Sequence, residues 1–345
     1  MSPMPKVVTF GELMLRLSPP GFERFLQTAQ FVATFGGGEA NVAVCLAAFG
    51  IDSYYVTRLP KHEIGEAAVR ALRAEGVRTD YILRGGDRIG VYYAEAGASQ
   101  RASTVIYDRA RSAIAEMEPD AVDWATVFAG AKWYHVSGIT PALGDKGAAA
   151  TAASIKAARA AGVRISVDLN FRKKLWTEKR AQEVMGPLMR DVDVVIANEE
   201  DLQSVLGVHV PGTDVTSGQL NIAGFQEAAE RVTRDFGPPM VAITLRESVS
   251  ASDNGWSAAL WDASSKTMHR SQRYDVRLVD RIGGGDSFAG GLIYGLVTGR
   301  TPPDALRFAV AASALKQTIP GDFNRVTVAE VDRLVGGDAS GRVQR

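Results

Sequence analysis

The chain is poor in cysteine, in histidine and in net charge, and each shortage excludes something. Among 345 residues there is one cysteine, Cys45, so no disulfide can form within the chain and the expected compartment is a reducing one. Lys plus Arg (39) equals Asp plus Glu (39), which removes the surplus of cations on which nucleic-acid affinity rests, while leaving room for a local basic pocket. The four histidines, His62, His135, His209 and His269, show no pair at metal-ligand spacing and read as structural or surface residues. No apolar run reaches the length of a membrane span, and the opening MSPMPKVVTFGELML has no long apolar stretch behind a basic start, so no signal peptide is expected. These absences predict a soluble, cytoplasmic protein with no nucleic-acid or membrane partner. Two common nucleotide signatures are missing as well: no Lys-Ser/Thr follows a glycine loop, and no G-x-G-x-x-G opens a helix.

What is present is a strand–helix alternation. KVVTFGEL, DSYYVTRL, AKWYHVSGI, RISVDLN, DVVIAN and MVAITL read as buried strands. Between and after them, EANVAVCLAAFG, GEAAVRALRAEG, a stretch from Gly147 to Ala161, EKRAQEVMGPLMRD, EEDLQSVLG and FQEAAERVTRDFG read as helices. Gly50 and Gly76 follow two of these helices as stop residues. Repeated strand–helix units predict an α/β fold, a mostly parallel sheet covered on both faces by right-handed crossovers. Residues 14–35 and 88–112 lack helical spacing and predict a small inserted β-sheet at the edge of a large domain made of 1–13, 36–87 and 113–335. Trp256 to Val279 predicts a β-hairpin within that domain, and 336–345 a frayed tail.

The segment Val279-Asp280-Arg281-Ile282-Gly283-Gly284-Gly285-Asp286-Ser287-Phe288 carries the most chemistry. Three glycines expose backbone N–H groups, and the helix after them turns its positive end to the same spot, a suitable place for phosphate oxygens and for charge developing in phosphoryl transfer. Asp286 at the helix start is placed to accept the proton of an attacking hydroxyl. Taken alone the segment reads more readily as an ordinary loop and N-cap.

A second glycine loop, Gly36-Gly37-Gly38-Glu39-Ala40-Asn41-Val42-Ala43, stands about 245 residues earlier, counted from Asn41 to Asp286. The pair, GG-x-x-x-N-x-A followed by D-x-x-G-G-G-D, resembles the two signatures of the ribokinase-like (PfkB) carbohydrate kinases, and the resemblance covers nearly the whole chain. It implies a doubly wound sheet with a β-sheet lid, and a kinase that uses ATP and Mg2+, with a monovalent cation as a further candidate cofactor. It implies that Gly36, Gly37 and Asn41 touch the sugar, that Asp286 is the catalytic base, and that Gly283, Gly284 and Gly285 form the anion hole. Asn198-Glu199-Glu200-Asp201 stands where the family has N-x-x-E, so Asn198 is expected near the nucleotide and Asp201 near magnesium through water, since magnesium keeps much of its hydration shell. Where relatives have a glycine-rich turn, this chain reads Arg246-Glu247-Ser248-Val249-Ser250, so Thr244 and Arg246 are expected to meet phosphate instead.

Within that family the chain resembles 2-keto-3-deoxygluconate kinases through Asp168-Leu169-Asn170-Phe171-Arg172-Lys173-Lys174-Leu175-Trp176, through Tyr92, through Tyr107-Asp108-Arg109, and through the closing IPGDFNRVT. The resemblance implies substrate contacts from Tyr92, Tyr107, Arg109, Asp168, Asn170 and Arg172. Guanidinium groups suit a substrate carboxylate, so Arg109 and Arg172 are expected to converge on one pocket. An exposed face on the lid sheet predicts a homo-oligomer. Kinases of the same fold acting on a neutral sugar or nucleoside, and a non-catalytic sugar sensor, are the alternatives.

Overall fold

The computed structural model describes residues 4–211, 222–338 and 341, so most of the 336–345 tail lies outside the described residues. The first half of the chain forms β1 (Lys6–Phe10), β2 (Met14–Ser18), β3 (Val32–Gly36), α1 (Gly38–Ala48), β4 (Asp52–Leu59), α2 (Glu63–Ala74), β5 (Ile82–Arg84), β6 (Gly90–Glu95), β7 (Thr104–Asp108), α3 (Trp124–Phe128), β8 (Ala131–Ser137), α4 (Asp145–Ala160) and β9 (Arg164–Asp168). There follow α5 (Glu178–Leu188), β10 (Val194–Ala197), α6 (Glu199–Leu206), α7 (Ile222–Phe236), β11 (Met240–Ser248), β12 (Asp253–Asp262), β13 (Thr267–Arg270), β14 (Tyr274–Arg277), α8 (Gly284–Val297), α9 (Pro302–Lys316) and α10 (Val328–Val335).

The main sheet has the order β13-β12-β11-β10-β9-β8-β1-β4-β5, with β14 also paired to β12. Every neighbour from β11 to β5 is parallel, and only the β12, β13 and β14 pairings are antiparallel. Alternate residues of the strands feed opposite cores, as a two-residue side-chain period requires. Val8, Tyr134, Ile165, Val195 and Ile243 pack with α4, α5 and α7 on one side, while Val7, Trp133, Val194 and Ala242 pack with α8 and α9 on the other. The mostly parallel, doubly wound sheet read from the sequence is the one observed. Its strand order reverses between β1 and β8. Ligands of such sheets lie at the carboxyl ends of the strands beside this switch.

A separate four-stranded sheet has the order β3-β2-β6-β7. Its β2 and β6 run parallel, and β3 and β7 flank them antiparallel. One difference from the sequence reading matters for the nucleotide end. A turn was expected from Arg246, but β11 continues to Ser248 because β12 pairs with it in full register, Arg246 opposite Trp256 and Ser248 opposite Asn254. The bend falls at Val249–Ser252 instead.

Candidate active site

The two glycine loops meet. Asn41 in the first turn of α1 donates from Nδ2 to Asp286 Oδ2 at 2.7 Å, closing a separation of 245 residues. Its amide oxygen accepts from Gly37 N at 3.2 Å, which fixes which way the side-chain amide faces. Helix α1 is placed by Glu39, a fully buried carboxylate whose Oε1 accepts from Ser137 N, Ser137 Oγ and Thr140 Oγ1 at 2.7–2.9 Å. The other signature residues in this loop are glycine for reasons of close packing. A Cβ on Gly36 would lie 2.1 Å from Asp322 Oδ2, and one on Gly37 would lie 1.9 Å from the Glu12 carbonyl.

Helix α8 starts without a side-chain cap. Gly283 takes a left-handed conformation (φ 83°) and sits against the Asp322 carbonyl, where a Cβ would come within 2.1 Å. The Gly284 N–H is held by Arg281 O at 3.3 Å, whereas Gly285 faces open space. The first-turn amides of a helix have no intrahelical acceptor, so the Gly285 and Asp286 N–H groups lack a partner within α8. Burial pushes the Asp286 carboxyl up to about 6; the Asn41 bond and the charge of Arg172 oppose this, and Asp322 and Glu39 reinforce it.

Asp322 is the centre of the arrangement and escaped the sequence reading. Its Oδ2 accepts from Tyr92 OH at 2.6 Å and Asn41 Nδ2 at 3.4 Å, and its Oδ1 from Arg16 Nη1 at 2.8 Å. Arg16 also pairs with Asp280 through Nη2 at 2.7 Å. Arg16 and Tyr92 belong to β2 and β6, so the small sheet is tied by buried bonds to Asp280 at the start of the glycine loop and to Asp322, whose carbonyl lies against Gly283. The one local signal for Asp322 was its place after Gly321 in the quoted IPGDFNRVT, which is too common a pattern to single it out.

The carboxyl ends of the strands provide the rest. Asp168 closes β9, and Asn170, in a left-handed conformation (φ 36°), donates weakly to it at 3.5 Å. Burial holds Asp168 well above the ordinary carboxylate range, with Asp201 and Asp286 adding to the rise and Arg172 countering it. Asn198 and Asp201 cap α6 reciprocally, Asp201 N to Asn198 Oδ1 at 2.8 Å and Asn198 N to Asp201 Oδ2 at 3.3 Å. Asp201 Oδ1 accepts from Phe171 N at 2.8 Å, so both its oxygens already serve backbone amides. Burial lifts its pKa to about 6.

Arg109 and Arg172 do line one cavity, of about 790 Å³, together with Tyr107, Phe171, Lys173 and Lys174. Their states differ. Arg109 is buried and its guanidinium is taken by Glu12, with Nε 2.7 Å from Oε2, while Ser112 Oγ donates to the same carboxylate. Arg172 is exposed and has no carboxylate partner among the described residues. Tyr107 is half-exposed and stacks on the buried Tyr92, centroids 5.9 Å apart. At the other end of the cleft Thr244 donates to Ala197 O at 3.4 Å, and Arg246 is exposed. Arg246 lies close enough to Arg281 to lower the pKa of that guanidinium, after burial. Neither arginine has a carboxylate partner among the described residues, which leaves two cations near each other at the start of the glycine loop. Arg281, inside the glycine signature, is another residue that the sequence reading passed over.

Comparison with known proteins shows the family. The sequence profile described as pfkB family carbohydrate kinase matches residues 4–324. A 2-dehydro-3-deoxygalactonokinase from Haloferax volcanii is 34% identical over 338 residues, covering 97% of this chain and 98% of that protein. Among solved structures, a 2-dehydro-3-deoxygluconokinase from Thermotoga maritima is 50% identical with a TM-score of 0.93, covering 96% of this chain and 100% of that one. A putative 2-keto-3-deoxygluconate kinase from Enterococcus faecalis is 28% identical with a TM-score of 0.90, covering 99% of both chains. With two glycine loops joined through Asn41 and Asp286 and a match along nearly its whole length, this chain belongs to the pfkB family of carbohydrate kinases.

Proposed function

We propose that the protein transfers the terminal phosphoryl group of MgATP to the primary hydroxyl of a 2-keto-3-deoxy sugar acid, forming the 6-phosphate. The observation that carries the reading is Asp286: a carboxylate with a pKa near 6, oriented by Asn41 at 2.7 Å and set beside the open amides of α8. Above pH 6 it is mostly ionised and accepts the hydroxyl proton. The sugar oxygen forms its bond to the terminal phosphorus, the bond from that phosphorus to the bridging oxygen breaks, and ADP leaves with the electron pair. The Gly285 and Asp286 amides take up charge on the equatorial oxygens. Arg246 and Arg281 meet the nucleotide phosphates, with Asn198 and Thr244 alongside.

Among the described residues no group of three side chains is arranged to hold a metal ion. Magnesium suits this site as an ion carried mainly by phosphate and water, with Asp201 acting through water because its oxygens already bind amides. It would neutralise triphosphate charge.

The acid end of the substrate is assigned to Arg172, whose unpaired guanidinium and neighbours Lys173 and Lys174 line the cavity rim. The names of the Haloferax volcanii and Thermotoga maritima relatives, 34% and 50% identical and both kinases of 2-dehydro-3-deoxy sugar acids, support the same class. The test is ADP release across a panel of 2-keto-3-deoxygluconate, 2-keto-3-deoxygalactonate, fructose, ribose and adenosine, with wild type beside Arg172→Ala. The keto acids should be the good substrates. Arg172→Ala should raise their KM at least about tenfold and leave the KM for ATP unchanged. Preference for a neutral sugar would overturn the assignment.

We also assign the small sheet to an interface between copies of the chain. The small sheet and the connection between β2 and β3 expose Leu26 (98%), Val32 (52%) and Ile106 (50%). Sedimentation should give more than one chain per particle, and a monomer at micromolar concentration would remove this part.

A further inference from the structure

The root of the glycine loop is built around a buried ammonium. Lys316, in the last turn of α9, has no exposure to solvent, and its Nζ donates to the backbone carbonyls of Asp280, at 3.2 Å, and of Ile282. Its stem runs beneath the loop, such that a Cβ on Gly283 would lie 3.3 Å from Lys316 Cε. Other groups of the same helix end hold the neighbouring backbone: Ser313 Oγ donates to Gly284 O at 2.6 Å, and Gln317 O accepts from Val279 N and Asp280 N at 2.9 and 3.2 Å. Burial lowers the pKa of Lys316, and the carboxylates of Asp280 and Asp322 oppose this by favouring the charged ammonium, but both are bonded to Arg16, and among the described residues Lys316 has no ion pair of its own.

A fully buried lysine with only carbonyl partners is costly, and an apolar side chain of the same length would fill the space without that cost. Carbonyl oxygens with carboxylates behind them are also the donor set that suits a monovalent cation of ammonium or potassium size. Here the chain supplies that charge itself. A dissociable monovalent ion at these carbonyls therefore does not fit: Lys316 Nζ already occupies them.

We propose that Lys316 is a positioning residue, a tethered cation that fixes the Asp280–Gly285 segment so that the Gly285 and Asp286 amides face the migrating phosphoryl group. This rests on the kinase reading above. It makes the enzyme independent of added potassium, and it predicts that removing the ammonium creates a need for a soluble substitute.

The experiment compares wild type, Lys316→Ala and Lys316→Met in choline, sodium, potassium and ammonium chlorides at constant ionic strength. ADP release and thermal unfolding are both followed. Wild-type kcat should vary less than about twofold among the salts. Lys316→Ala should lose about 10–100-fold in kcat in choline with sugar KM changed far less, the scale of a misplaced reacting group. Ammonium or potassium should restore at least about tenfold of that loss and raise the melting temperature, whereas choline should not, because only an ion bound to the folded form stabilises it. Lys316→Met, which fills the space, should stay slow in every salt. A wild type that requires potassium, full Lys316→Ala activity in choline, or a folded Lys316→Ala that no cation restores would each overturn the proposal. Absence of ADP release by wild type would instead refute the kinase reading, and the cation-selective melting of Lys316→Ala would still decide the role of the ammonium. A Lys316→Ala chain that does not fold in choline but folds in ammonium would support it, and one that folds in no salt would refute it.

Discussion

Replacing Asp286 by asparagine should produce a protein that is slower and more stable. The folded structure lifts this carboxyl from 3.8 to about 6, first through burial and then through the nearby Asp322 and Glu39 charges. A displacement of roughly 2 units corresponds to at most ~3 kcal/mol at neutral pH. The carboxylate faces a cleft that solvent enters, so an expected figure is about 1–2 kcal/mol. Because the folded-state pKa lies above the unfolded one, the folded protein binds the extra proton between about pH 4 and 6. Stability from this group is complete below pH 4 and is lost as pH rises through 6. Asp286→Asn escapes that loss, and its amide oxygen still accepts the Asn41 bond. Its gain over wild type should therefore appear in urea unfolding at pH 7.5 and vanish near pH 4. Turnover should fall about 10²–10⁴-fold, the usual range for removal of a general base, with both KM values little changed. Turnover within threefold of wild type, or a loss of stability at pH 7.5, would refute the reasoning.

Asn41→Ala removes the bond that favours the ionised Asp286, so the acid limb of kcat/KM for the sugar should move upward by about 0.5–1 unit from near pH 6; an unmoved limb would disconnect the two residues. Arg109→Met leaves Glu12 buried with Ser112 alone as partner and should cost about 3–5 kcal/mol in urea unfolding, with Glu12→Gln added to it recovering part of the loss. A loss below about 1 kcal/mol together with a large rise in sugar KM would return Arg109 to the substrate. Arg246→Ala should raise the KM for ATP about tenfold and leave that for the sugar unchanged, since the guanidinium lacks a carboxylate partner and lies beside Arg281; an unchanged KM for ATP would place it outside the nucleotide site.

The alternation of short buried strands with helices, and the two glycine runs that open α1 and α8, were legible in the sequence because they are local: side-chain period, stop residues and bare backbone declare themselves within ten residues or so. So were Asp286 and Asn41, whose place in each loop marks them. Three things needed the folded chain. The pairing of Arg109 with Glu12, 97 residues away, was not legible, because no local pattern encodes which carboxylate a buried arginine will find. Asp322 reads as an ordinary residue after a glycine until Arg16, Tyr92 and Asn41 converge on it from 306, 230 and 281 residues away. Lys316 looks like the basic end of a helix, a place where lysine is common, until packing buries it beneath the loop. Periodicity and loop chemistry sufficed to name the two loops. The pairing of buried charges depends on which distant groups lose their water together, and only the tertiary structure decides that.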